Sequence, residues 1–154
     1  MLRMTKTADY AIVLLTRMAE EPDRIFNAPE LALEAQLPAP TVSKILKILA
    51  RQDLLESHRG AKGGYGLQLS PESISVEAII TAVEGPIGIT ECIDDASGTC
   101  GQEPVCPVRS NWQRINEAIR QALASITLAE MTRSGSHGLV TLGGSSDHIA
   151  AGLQ

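Results

Sequence analysis

Pro40-Thr41-Val42-Ser43-Lys44-Ile45-Leu46 and, a little further on, Arg59-Gly60-Ala61-Lys62-Gly63-Gly64-Tyr65 decide the fold of this chain. The first piece opens an amphipathic helix over about 40–52. Pro40 suits a first turn, where its missing N–H has no partner to lose. Val42, Ile45, Leu46 and Leu49 recur at helical spacing and mark a buried stripe. Thr41, Ser43, Lys44, Lys47 and Arg51 are left for the other face. The second piece is the glycine-rich basic tip of a β-hairpin, flanked by the strand-like pieces 54–59 and 67–70.

Working outward, Asn27 with Glu30 three residues on is a variant capping box, and it starts a short helix over 28–35. Residues 36–39 form a tight connection into the helix at 40. Two helices joined by a turn, the second carrying small polar and basic residues near its start, read as helix-turn-helix. A hairpin directly after it is the wing of a winged helix. Upstream, Ala11, Leu14, Leu15 and Met18 give an amphipathic helix over 7–20, with Thr7 as its N-cap. Downstream, Val76, Ile79, Ile80 and Val83 give a short helix over 75–83, which Gly85-Pro86 breaks. The DNA-binding domain is therefore read over 1–83. Thr41, Ser43, Lys44 and Lys47 are expected in the major groove, and Arg59 and Lys62 at phosphates or the minor groove. The plainer reading of those cations is a solvated basic face.

From Pro107 an apolar stripe (Trp112, Ile115, Ile119, Leu123, Ile126) predicts one helix over 107–131. Such a helix is about 37 Å long at 1.5 Å per residue. One winged helix cannot cover it, so a two-fold homodimer is expected. Residues 132–154 are rich in Gly, Ser and Ala without a period and read as a disordered tail. The fold class is thus mainly α with a small β-hairpin: a winged helix-turn-helix domain plus a long C-terminal dimerisation helix.

The net charge of −5 over 154 residues is unusual for a nucleic-acid binder. Its distribution is more informative: residues 1–70 balance to +1 and residues 71–154 to −6. A local patch, not the total, decides phosphate contact. No apolar run is long enough to span a membrane, and the first residues lack a secretory pattern, so a cytoplasmic location is expected. No catalytic constellation or phosphate-binding glycine loop after a buried strand is visible, so an enzyme is not expected.

Cys92, Cys100 and Cys106 are the only cysteines, and all lie in one polar, Gly/Pro/Asp-rich stretch over 90–106. Free cysteine usually behaves as a small core hydrophobe. Three in a loop call for another reason, and soft thiolates select iron–sulfur clusters, zinc or copper(I). The odd count argues against a disulfide framework, and the lack of a Cys-x-x-Cys pair argues against structural zinc. Unligated thiols or a thiol switch are the plain alternatives.

With these pieces in order the chain resembles the small winged-helix iron–sulfur regulators typified by IscR and NsrR, the Rrf-two family. The resemblance rests on Met4-Thr5-Lys6-Thr7-Ala8-Asp9-Tyr10-Ala11, the helix from Pro40, the wing, Glu84-Gly85-Pro86-Ile87 and the cysteine loop, and it covers about 1–131. Within the family, the stretch Pro40–Lys62 together with that from Cys106 to Asn116 looks most like regulators of suf-type iron–sulfur assembly genes. The resemblance implies a homodimer on a double-stranded DNA operator, with one cluster per subunit on Cys92, Cys100 and Cys106. Whether that is 2Fe-2S or 4Fe-4S stays open. The IscR type takes its fourth ligand from a histidine three residues after the last cysteine. Here that residue is Arg109, which cannot ligate while protonated. The NsrR type takes a carboxylate from the partner's first helix, and Asp9 matches that place. The plain reading of Asp9 is compensation of the helix dipole. Two alternatives remain: a nitric-oxide or redox-sensing repressor of the same fold, and an iron–sulfur or redox protein that does not bind DNA.

Overall fold

Thr5, not Thr7, opens the first helix. In the computed structural model, which describes residues 3–90 and 106–134, its hydroxyl accepts the Ala8 N–H at 3.2 Å. Helix α1 then runs Lys6–Ala19, with Ala8, Ala11, Leu14, Leu15 and Met18 on its buried face. An N-cap needs extended backbone and a side-chain acceptor for an unpaired first-turn N–H. Thr5 has both, which leaves Thr7 inside the first turn.

Asn27 caps α2 (Ala28–Glu34) as the sequence predicts, accepting the Glu30 N–H at 2.9 Å. The box is only half made. The Glu30 carboxylate accepts from Arg24 at 2.7 Å, an ion pair that binds more strongly than a neutral backbone donor. Helix α2 ends in a Schellman motif: Leu37 N–H donates to Ala32 O and Gln36 N–H to Leu33 O, with Gln36 at φ 54°. Helix α3 (Ala39–Arg51) ends the same way on Asp53 at φ 57°, with Leu54 N–H on Leu49 O.

Strands β1 (Leu55–His58) and β2 (Gly64–Leu67) pair antiparallel, Leu55 opposite Leu67 and His58 opposite Gly64. The second strand starts three residues earlier than expected because Tyr65 also pairs with Phe26, ahead of α2. Helix α4 (Val76–Glu84) is capped by Ser75, whose side chain accepts the Ala78 N–H at 3.1 Å.

The single helix expected over 107–131 is two helices, α5 (Arg109–Ala124) and α6 (Leu128–Ser134). The break is built. Thr127 and Glu130 form a complete capping box: Glu130 accepts the Thr127 N–H at 2.7 Å, and Thr127 Oγ1 accepts the Glu130 N–H at 3.2 Å. On either side of it, Val76 N–H donates to Ile126 O and Leu128 N–H to Ile74 O, pinning the joint to the start of α4. Helix α6 turns back onto α1 and puts Leu128, 0 % exposed, into the same core as Leu14, Phe26, Leu46 and Ile79. Helix α5 packs on α4 and leaves Trp112 and Ile115 exposed. The expected tail is thus helical to residue 134, and residues 135–154 lie outside the described part.

Candidate functional site

Helix α3 buries Val42, Ile45, Leu46 and Leu49 and presents Lys44, Lys47 and Arg51 on the opposite side. Thr41 and Ser43 flank that side, both half-buried. At 3.6 residues per turn these five positions form one outward strip. Arg51 extends the strip to the C-terminal end of the helix. Its place on the outer face is legible in the sequence, although nothing there marks it as a DNA contact.

The wing carries Arg59 and Lys62, both exposed, at its tip. The tip closes through Gly63 N–H to Gly60 O at 3.0 Å. Gly60 sits at φ 111°, where a side chain is strained. The base of the wing is held by the Phe26–Tyr65 pair, with Gly64 packed so closely that an added Cβ would lie 2.4 Å from Phe26 O. His58 faces Glu56 across 3.7 Å on β1, as a solvent-facing strand residue would.

Two arginines contrast with the cations of α3 and the wing. Arg17 and Arg24 are saturated by carboxylates: Arg17 pairs with Glu20, Glu21 and Glu34, and Arg24 with Glu21, Glu30 and Glu34, at 2.7–2.9 Å. The Arg24 guanidinium also lies 4.3 Å from the Phe26 ring centroid. The Arg17 hydrogen bond, then that of Arg24, holds the Glu21 carboxyl below its ordinary range, and the Glu30 hydrogen bond holds Arg24 above its own. By contrast Lys44, Lys47, Arg51, Arg59 and Lys62 make no ion pair among the described residues. Their charge remains available to an anion.

The cysteine loop leaves α4 through Gly85, at φ 89°, and returns at Cys106, which is half-buried. Cys92 and Cys100 lie outside the described residues. Among the described residues no three His, Cys, Asp or Glu side chains converge as a metal site. The chain entering the loop is tied to α5. Asn116 Nδ2 donates to Ile87 O at 2.9 Å, and Asn116 Oδ1 accepts the Ile89 N–H at 3.2 Å. Asp9 lies exposed in the first turn of α1, where Thr5 does the capping. No hydrogen bond or ion pair among the described residues engages its carboxylate. Arg109 is the first residue of α5.

A family profile described as "Iron-dependent Transcriptional regulator", that of Rrf2, matches residues 4–134. The chain belongs to the Rrf2 family. Among its relatives, the HTH-type transcriptional regulator NsrR of Halalkalibacterium halodurans is 25% identical over 131 residues, covering 84% of this chain and 90% of that one. The solved structure of CymR, the global cysteine regulator of B. subtilis, superposes at TM-score 0.68 with 26% identity, covering 86% of this chain and 98% of that one. The structure of T. potens IscR superposes at TM-score 0.68 with 24% identity over 92% and 94% of the two chains, a likeness of fold. This Rrf2 protein is accordingly a winged-helix, DNA-binding transcription regulator and not an enzyme. None of its described helices is long and apolar enough to cross a membrane.

Proposed function

We propose that this Rrf2 regulator is a homodimer that reads iron–sulfur status through a cluster on Cys92, Cys100 and Cys106 and controls suf-type assembly genes. Three thiolates are a soft donor set that suits iron–sulfur binding, and Cys106 at the start of α5 fits a ligand role. Asp9 of the partner subunit would complete the set, because Arg109 cannot. The cluster, when bound, supplies an iron centre that oxygen and nitric oxide can attack. What the protein supplies is position. The observation that carries the reading is that the three cysteines sit on the one segment joining α4, part of the winged-helix core, to α5, which leaves Trp112 and Ile115 exposed. A change in that segment bears on the DNA-binding domain and on the dimer helix together. Regulation requires that the two states differ in operator affinity. Thr41, Ser43, Lys44 and Lys47 would line the major groove, with Arg59 and Lys62 at the backbone or minor groove.

The unengaged Asp9 carboxylate and the NsrR relatives favour a second reading, a nitric-oxide-sensing repressor of the same fold. Anaerobic purification with iron and sulfide counts, alone and with each cysteine changed to Ala, tests the cluster. A gel shift on the DNA upstream of its own gene, with and without nitric oxide, separates the readings. A protein that stays colourless after reconstitution would remove the cluster and leave the DNA-binding regulator standing.

A further inference from the structure

Leu33 is 81% exposed, the most exposed large hydrophobic side chain among the described residues. One exposed leucine is ordinary on a protein surface. This one stands in the last turn of α2, and Pro38, Ala39 and Pro40, where α3 begins, are exposed as well. Only residues 35–38 separate the two helices, and the turn closes through Leu37 N–H on Ala32 O at 3.0 Å. The end of α2 and the start of α3 therefore lie at the same end of the motif. An apolar surface occupies the leading end of α3, where a helix-turn-helix puts its base contacts.

The chemistry open to this surface is narrow. Residues 35–43 carry no charge, and the cations of α3 begin only at Lys44, more than one turn beyond Ala39. Leu33, Pro38, Ala39 and Pro40 have no side-chain donor or acceptor. The two prolines lack even a backbone N–H. These side chains cannot match the donors and acceptors of a base edge, and they gain nothing from a phosphate. What they can do is bury apolar carbon. In the major groove a base pair presents one apolar group, the C5-methyl of thymine.

We propose that Leu33 and Ala39 are specificity-determining residues that seat thymine methyl groups of the operator, while Lys44 and Lys47 hold the backbone beside them. This rests on the placement of α3 in the major groove stated above. It makes the leading end of α3 a reader of methyl groups and leaves hydrogen-bonded readout to Thr41 and Ser43, which follow it on the helix.

The test uses the full-length protein and the operator duplex mapped by footprinting upstream of its own gene, with uracil in place of each thymine in turn. Uracil pairs with adenine as thymine does and lacks only the methyl group. Wild type should lose about fourfold in affinity at one or two thymines of each half-site, the worth of one buried methyl group. The double variant L33S/A39S changes two exposed side chains, so its fold is not at stake. It should bind the unmodified operator more weakly and lose less than about 1.5-fold on uracil substitution at those same thymines, which couples the methyl to the two residues. Lys44→Ala, measured in parallel, keeps the placement of α3 separate. If Lys44→Ala weakens binding and no thymine of the wild-type complex responds, the methyl contact is overturned and α3 stays in the groove. Thymines that respond equally in L33S/A39S overturn it too. If Lys44→Ala leaves affinity unchanged and no thymine responds, the placement of α3 falls and this inference with it.

Discussion

Phe26 and Tyr65 exchange both backbone hydrogen bonds, Phe26 N–H to Tyr65 O at 2.9 Å and Tyr65 N–H to Phe26 O at 2.8 Å. A two-stranded hairpin alone is marginal in water. This pair adds a third, one-residue strand and ties the wing to the turn before α2. The aim of Arg59 and Lys62 thus depends on a contact far from the tip. Gly64 is what permits it, since an added Cβ would fall 2.4 Å from Phe26 O, a backbone atom with no room to yield. Gly64→Ala should cost about 1–3 kcal/mol, the worth of two strained or broken backbone hydrogen bonds. Urea denaturation measures it. The operator affinity of the folded variant should fall as well, and a variant with wild-type midpoint and affinity would show that the bridge does not hold the wing.

Arg59→Ala should weaken operator binding by about 1–3 kcal/mol, and the salt dependence separates the two roles open to its guanidinium. If Arg59 neutralises a phosphate, its removal lowers the slope of log K against log salt by about 0.9. If it enters the minor groove, its removal changes the preference for A·T-rich flanks instead. The contrast with Arg17 is instructive. Arg17 is already matched by three carboxylates, so Arg17→Ala should leave the DNA salt slope unchanged. Titrating labelled operator at several salt concentrations decides both.

Much of this architecture is legible in the residues because local chemistry and burial agree. Asn27 announces α2, Ser75 stands where α4 begins, and Val42, Ile45, Leu46 and Leu49 mark the buried side of α3. What misleads is chemistry whose sequence signal is weak or shared. Gln36 and Asp53 take left-handed backbone at helix ends, a place where glycine is the usual flag. The break between α5 and α6 has a flag, Thr127-Leu128-Ala129-Glu130, but the apolar stripe continues through it and reads as one helix. Only burial separates the pieces: Leu128 is enclosed while Ile115 and Ile126 stay 45% and 40% exposed. Asn116 is invisible in the sequence because an asparagine on a helix gives no sign that a distant loop will meet it.

Leu128→Ala tests where α6 belongs. A residue of the winged-helix core loses about 2–5 kcal/mol on truncation to Ala, from lost transfer free energy and the cavity left behind. Leu128 belongs to the buried core of its own chain, where α6 packs on α1, so its loss relative to wild type should be independent of protein concentration. A difference between wild type and variant that changes with protein concentration, or a loss below about 1 kcal/mol, would place α6 outside that core.

The Thr127–Glu130 box also makes a pH prediction. The backbone N–H of Thr127 first, and its hydroxyl second, hold the Glu130 carboxyl below its ordinary value. A group whose folded pKa is depressed contributes stability above the unfolded pKa, about 4.3 for Glu. That contribution is lost as pH falls through the lower folded value. Glu21, depressed by Arg17 and then Arg24, acts in the same direction. Thermal midpoints should therefore fall from about pH 5 downward, and Glu130→Gln should flatten part of that fall while Glu21 keeps the rest. An E130Q profile parallel to wild type throughout would remove the box from the acid response.

The outward side of α5 carries the dimer prediction. Val108, Trp112 and Ile115 are 44%, 38% and 45% exposed, while the polar Asn116 is buried. A helix with Trp112 and Ile115 outward and its asparagine inward suits a neighbour on the outward side, and in the proposed homodimer a second copy would meet it with the same residues under two-fold symmetry. Burying one Ile side chain is worth about 1.5–3 kcal/mol. A two-fold axis counts it twice, so Ile115→Glu should raise the dimer dissociation constant by about a hundredfold or more, with a buried charge adding to the loss. Sedimentation reads the association state directly. The same variant should bind a half-operator as wild type does and lose the advantage of the full two-fold site, because α3 and the wing lie on the other elements of the fold. If I115E stays dimeric at wild-type concentrations, the pairing surface is elsewhere and the exposed stripe of α5 serves another partner.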